Sequence, residues 1–347
     1  MIEVIKSYIQ LNSIEILLLT LNVAVFVIGI IGNFLVCYVV YKCKALHSVT
    51  NFFIVNLAVA DFVVLLICLP PTIVQTMFET WFFGEFMCKI IHGLQTISFC
   101  TSVLTLCAIS IERYFGICRP MTPKMSKRKF ILILAVIWIV AVLVALPSLI
   151  VMRLKIHFPD IPEYLSVCYR SWSMDTDIVY NTTLLFSLYF LPICILGICY
   201  TVISINLWKS RIPGTGEALS NSKSVLVNVF IGTCDVAGNQ LQSRKNVAKM
   251  LMAIVILFII CYLPFNLLHV KCKYFRLLDM LDNQSYIRVI WLIAQWLCYF
   301  NSAMNPVIYN FMSARFRREF QIACCCLKED ESIYDRNRHT RTFRTEM

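Results

Sequence analysis

Asp61 is the residue whose position most demands a chemical explanation, because it is a carboxylate inside the otherwise apolar run NLAVADF. An ionised aspartate at membrane depth costs several kcal/mol unless it is neutralised or coordinated, so Asp61 reads as an ion or proton site. Oxygen-bearing partners stand in the later run NSAMNPVIY, which supplies Asn301, Ser302 and Asn305 ahead of Pro306 and Tyr309. With Ser102 they form a donor set of neutral oxygens and one negative charge, suited to sodium with water. The alternative is a protonated Asp61 in a water network. No required cofactor is expected. An enzyme needs an acid/base or nucleophilic constellation in a cleft, and the apolar segments carry no His/Glu/Asp metal cluster. Residues 287–311 contain no lysine, which excludes a Schiff-base pigment. A channel or transporter would place charges in several spans along one path, whereas Asp61 is nearly alone.

These groups must be held by membrane helices. Of the 347 residues, 59% are hydrophobic and 15% charged, an excess that a soluble chain cannot hide. Seven apolar blocks lie at about 16–40, 51–73, 88–112, 130–151, 182–207, 247–270 and 287–311. The net charge of +11 gathers at block edges, which argues against a nucleic-acid surface. Basic residues after blocks one, three and five and from Arg315 onward contrast with mixed charge in the opposite loops. This bias places the amino terminus outside and the carboxyl terminus in the cytoplasm of a multi-pass plasma-membrane protein. The opening residues lack the pattern of a cleaved signal, and the first span is expected to act as a signal anchor.

The organisation expected is an extracellular terminus (1–15), a seven-span domain (16–311), a membrane-surface helix (312–326) and a cytoplasmic tail (327–347). Residues 208–245 read as a mobile cytoplasmic linker. Pro70-Pro71 should bend the second span, and Pro147, Pro192, Pro264 and Pro306 mark bends in later ones. Asn33 requires a partner from a neighbouring helix, and Trp81 in WFFG reads equally as an anchor at the outer interface. The stretch FMSARFRREFQIACCC reads as an amphipathic helix on the inner leaflet, held by acylation of Cys324, Cys325 or Cys326, the plainer reading being free thiols. Asn181 and Asn283 head glycosylation sequons.

The order of motifs resembles the rhodopsin-like (class A) G-protein-coupled receptors over nearly all of residues 16–326. The matching pieces are Gly32-Asn33, NLAVAD at 56–61, Cys88, ERY at 112–114, Trp138, Pro192 with Tyr200, CYLP at 261–264 and NPVIY at 305–309. Within that family the chain looks like neuropeptide receptors of the orexin, allatotropin and neuropeptide FF type, on Gln95 seven residues after Cys88, WFFG, and Tyr262 where many members carry tryptophan.

The resemblance implies an all-α seven-helix bundle with a short eighth helix. It implies a neuropeptide ligand, a heterotrimeric G protein, arrestin and a receptor kinase as further partners, and a Gq-like calcium response. Non-peptide ligands (amine, lipid, small metabolite) are the alternative. Cys88 and Cys168 face the oxidising side, where a disulfide persists, and residues 163–178 would form a hairpin lid. The ligand cavity would be lined by Thr72, Gln75, Gln95, Thr96, Phe265, His269, Gln295 and Tyr299, with Glu163, Asp175 and Asp177 near its mouth. Gln95 suits an amide rather than a protonated amine. The switch would comprise Val103, Pro192, Phe258, Tyr262 and Pro264, leading to Glu112, Arg113, Tyr114, Tyr200, Asn305, Pro306 and Tyr309. Arg244 stands where some receptors carry an acidic partner for the arginine, so packing and Asp61 are expected to hold the resting state.

Overall fold

A computed structural model describes residues 13–119, 121, 123, 125–156, 166–209, 242, 245–268 and 284–325. Its helices are α1 (Ser13–Lys42), α2 (Val49–Phe78), α3 (Gly84–Cys118), α4 (Lys127–Val151), α5 (Met174–Leu207), α6 (Lys245–Leu268), α7 (Gln284–Met312) and α8 (Ala314–Cys325). The first six are long and apolar enough to cross a bilayer. At 29 residues α7 has the length, and its polar groups turn inward, with Asn301, Ser302 and Asn305 all buried. That inward placement is the condition for polar side chains at membrane depth.

Local chemistry sets the ends. Ser48, Ser126 and Ser173 accept from the backbone N–H of Asn51, Lys129 and Thr176, capping α2, α4 and α5. The cap at Ser173 starts α5 eight residues before position 182. Inside α2 the Leu69 N–H reaches back to the Val64 carbonyl, one wide turn directly before Pro70-Pro71. Prolines lack the donor for the turn behind them and press on it, and the wider turn relieves that conflict. A second wide turn, Phe186–Phe190, precedes Pro192.

Small residues let the helices approach. A Cβ on Gly32 would lie 2.8 Å from the Pro306 ring, and one on Gly29 would meet Leu65 and Ala303. Asn33 finds the interhelical partner expected of it. Its Nδ2 donates to the Ser302 carbonyl on α7 at 3.1 Å and to Gly29 at 2.9 Å. Ser302 is four residues before Pro306, so this is the carbonyl that the proline leaves without a helical donor.

Outside the bundle, β1 (Met152–Ile156) pairs antiparallel with β2 (Ser166–Arg170), Leu154 opposite Cys168. The hairpin therefore draws its first strand from the residues directly after α4 rather than from 163–178, and residues from Met174 onward are helical. Trp81 corrects the interface-anchor reading: it is 1% exposed. Its Nε1 donates to the Gly84 carbonyl at 2.7 Å, its backbone N–H donates to Ser166, and the Ser166 hydroxyl donates back to its carbonyl. The ring is a plug beneath the hairpin, and Gly84 makes the turn with φ +73°. In α8, Phe316 and Phe320 are buried against the bundle, while Phe311, at the end of α7, is exposed.

Candidate functional site

Three polar levels run down the bundle. The outer one joins α2, α3 and α7. Gln95 Nε2 donates to Thr72 Oγ1 at 3.1 Å and to the Tyr299 hydroxyl at 2.8 Å. Tyr299 donates to Thr72 at 3.1 Å, and Thr72 donates to the Cys68 carbonyl at 2.7 Å. This chain of donors fixes the amide's orientation. The Thr72 proton is committed to a carbonyl and the Tyr299 proton to Thr72, so both oxygens face Gln95 as acceptors and meet its NH2 end. Its carbonyl oxygen takes no part in these bonds.

Around this level, Gln75 and Thr96 are half-buried, and Thr96 donates to the His92 carbonyl. Gln295 Oε1 lies 3.4 Å from Thr76 Oγ1. Phe265 packs on Trp291 with ring centroids 5.5 Å apart. The disulfide Cys88–Cys168 joins α3 to β2, Cα atoms 5.9 Å apart. His92 lies beside it, with Nδ1 3.7 Å from Cys168 Sγ. This Cys/His/Cys group is no metal site, because bonded sulfurs are not thiolate ligands. Asp175 is exposed, whereas Asp177 accepts from Arg170 at 3.0 Å and from Trp172. Asn181 is half-buried, its amide donating to Asp177 and its oxygen accepting from Arg170. Glu163, His269, Asn283, Arg244 and Cys326 lie outside the described residues.

At the central level Asn305 Nδ2 donates to Asp61 at 2.7 Å, and the Ser302 and Ser102 hydroxyls face the same carboxylate. Among the described residues, Ser102 Oγ, Asn301 Oδ1 and Asn305 Oδ1 are buried without a hydrogen-bond partner. The Ser102 hydroxyl and the Asn305 amide oxygen beside a carboxylate fit a hard monovalent cation with water, since orphaned buried acceptors call for a partner; among the described residues no contact joins the Asn301 oxygen to this group. Nearby, Asn56 donates to Thr105 at 2.8 Å and accepts from Trp138 at 2.9 Å, tying α2, α3 and α4.

Between these levels, Val103 and Phe258 share one buried cluster, and Pro192 is buried on α5. The Phe258 ring packs tilted against Tyr262 (centroids 4.9 Å apart) and Tyr262 against Phe99 (4.7 Å). Phe99 was not expected from the sequence, although it lies four residues from both Gln95 and Val103 and so on their helix face.

The cytoplasmic level is closed. Arg113 binds Glu112 bidentately at 2.6 and 2.8 Å. Thr50 on α2 donates to that carboxylate at 2.7 Å, a contact with no local sequence signal. Tyr200 is hydrogen-bonded to Ser110 at 3.0 Å, and Tyr114 packs on Phe115. Tyr309 packs against Phe316, its hydroxyl buried without a partner among the described residues. Cys324 is exposed at the end of α8.

Comparison with known proteins agrees with this architecture. The family described as "7 transmembrane receptor (rhodopsin family)" matches residues 32–309. The "Pyroglutamylated RF-amide peptide receptor" of Rattus norvegicus is 30% identical over 313 residues, 89% of this chain and 70% of that protein. The Mus musculus protein of the same description is 30% identical over 305 residues, covering 87% and 68%. The chain belongs to the rhodopsin family of seven-transmembrane receptors, multi-pass and non-catalytic, and resembles its RF-amide peptide branch.

Proposed function

We propose that this receptor binds an extracellular peptide through a carboxamide group seated at Gln95 and signals through a heterotrimeric G protein of the Gq/calcium type. The observation that carries the reading is the donor chain Cys68–Thr72–Tyr299–Gln95. It turns the Gln95 oxygen toward the ligand, so the group it accepts from must be a donor. An amide NH2 satisfies it. A free carboxylate would set acceptor against acceptor, and a protonated amine would lack the charge partner that an aspartate supplies. The relatives' printed description, RF-amide peptide receptor, points to the same ligand class.

Ligand pressure on Gln95 would pass one helical turn inward to Phe99, then to Tyr262 and Phe258, and open the α6 hinge at Pro264. At the cytoplasmic level Arg113 would leave Glu112 for Tyr200 and Tyr309. Tyr309 is placed to gain from that movement, because its hydroxyl starts without a partner among the described residues. Sodium at Asp61 would favour the closed arrangement, since an ion shifts an equilibrium by its differential affinity for the two states. Arrestin and a receptor kinase are the further cytoplasmic partners that this reading includes.

The test is a calcium and cAMP readout in transfected cells with a synthetic peptide ending in Arg-Phe-NH2 and its free-acid counterpart. The amidated form is expected to be at least tenfold more potent, and Gln95→Ala to narrow that ratio. Equal potency of amide and acid, or responses to monoamines but not to peptides, would overturn the reading.

A further inference from the structure

At the outer rim one guanidinium serves two carboxylates from different helices. Arg288 of α7 bonds Glu79 at 2.6 Å, at the end of α2, and Glu15 at 3.0 Å, on α1. The two acids differ in access: the Glu15 side chain is 9% exposed and that of Glu79 is 48% exposed. Glu79 is also the one non-glycine with positive φ among the described residues, at 51°. This left-handed conformation is the cap that ends α2, and it turns the chain at the point where Arg288 meets the Glu79 carboxylate.

A crevice lies one turn further in on the same three helices. Asn22, Thr76, Gln295 and Trp296 line it, and so do Thr72 and Tyr299 of the Gln95 triad. The Trp296 Nε1 donor is buried in this wall without a partner among the described residues. The ion bridge therefore lies just outside a small, mainly apolar crevice whose inner wall includes Thr72 and Tyr299.

We propose that Glu79 is a subsite for a cationic side chain of the ligand, filled by Arg288 in the free receptor and taken over by the ligand's guanidinium on binding. Arg288 demonstrates the fit, because a guanidinium already sits on this carboxylate at hydrogen-bonding distance. The exchange leaves no charge stranded, since Arg288 keeps Glu15 when it yields Glu79. Stranding a partly buried charge is the costly outcome that such an exchange avoids. The position also fits. Glu79 is seven residues along α2 from Thr72, about 10 Å of helical rise. An extended peptide covers about 3.3–3.6 Å per residue, so an arginine within one to three residues of the bound carboxamide reaches Glu79.

This subsite rests on the peptide reading above, and two measurements separate the failure of each. The first compares the Arg-Phe-NH2 peptide with its citrulline analogue, which keeps the shape and loses the charge. The arginine peptide is expected to be about tenfold more potent on the wild type, and the two to be equipotent on Glu79→Gln. Arg288→Gln, which removes the competitor, should raise the potency of the arginine peptide at matched surface expression. A ratio that survives in Glu79→Gln overturns the subsite. If neither peptide activates the wild type, the ligand class is wrong, and the second measurement decides the subsite alone. With Thr76→Cys, a cationic methanethiosulfonate should react several-fold faster than an anionic one, after subtraction of the wild-type background. Glu79→Gln should erase that preference and Arg288→Gln increase it. A preference unchanged by both substitutions overturns the subsite.

Discussion

Single residues in this receptor act by the donors and acceptors they leave free. Gln95 keeps its oxygen as an acceptor because Thr72 and Tyr299 consume its donors, which is the basis of the proposed carboxamide seat. Asn33 serves the carbonyl abandoned by Pro306. Asp61 is the strongest case, a buried carboxylate that accepts from Asn305 and is faced by the Ser302 and Ser102 hydroxyls, with the Asn305 oxygen beside it unpartnered among the described residues. If sodium occupies that set, raising sodium from nominally zero to about 100 mM should lower agonist affinity several-fold in membranes of the wild type. Asp61→Asn should remove the dependence, because the amide keeps the shape and loses the charge. Radioligand competition at constant ionic strength, with choline replacing sodium, makes the measurement, and an equal response of wild type and variant would sink the assignment.

At the scale of elements, helices approach where a side chain is missing, and bend where a backbone donor is missing. Gly32 lets α1 rest on the Pro306 ring, 2.8 Å from where a Cβ would be. The ring is rigid, so Gly32→Ala must push α1 and α7 apart. Overpacking of this kind costs about 1–3 kcal/mol. Gly197 on α5 offers the contrast, as nothing stands within 4 Å of its Cβ position. Thermal unfolding in detergent should show a lower midpoint for Gly32→Ala and an unchanged or higher one for Gly197→Ala, where helix propensity favours alanine by about 1 kcal/mol. Similar midpoints for the two variants would count against the close packing of α1 on α7.

Across the whole molecule, the three polar levels are stacked on α3, and the cytoplasmic one is shut. Thr50, 4% exposed, holds Glu112 from α2 while Glu112 holds Arg113. A hydrogen bond to a charged group contributes about 1.5–3 kcal/mol, less when half-exposed. Thr50→Val keeps the shape and loses the bond. It should raise ligand-independent signalling about threefold to tenfold at equal surface expression. Basal output at the wild-type level would show that the closed end does not depend on this latch.

By itself the sequence determined the seven spans, their orientation and the family, because membrane insertion is written locally in apolar run length, flanking charge and proline position. It also singled out Asp61, Gln95 and Arg113, since polar groups at membrane depth are few and each requires a reason. Tertiary structure decided who answers them. Thr50 meets Glu112 across 62 residues and Tyr299 meets Gln95 across 204, distances over which no periodicity carries information. It also reversed the reading of Trp81, an aromatic beside the interface that the hairpin buries. The sequence records that a buried polar group needs a partner, and only the packing of helices remote in the chain chooses which one.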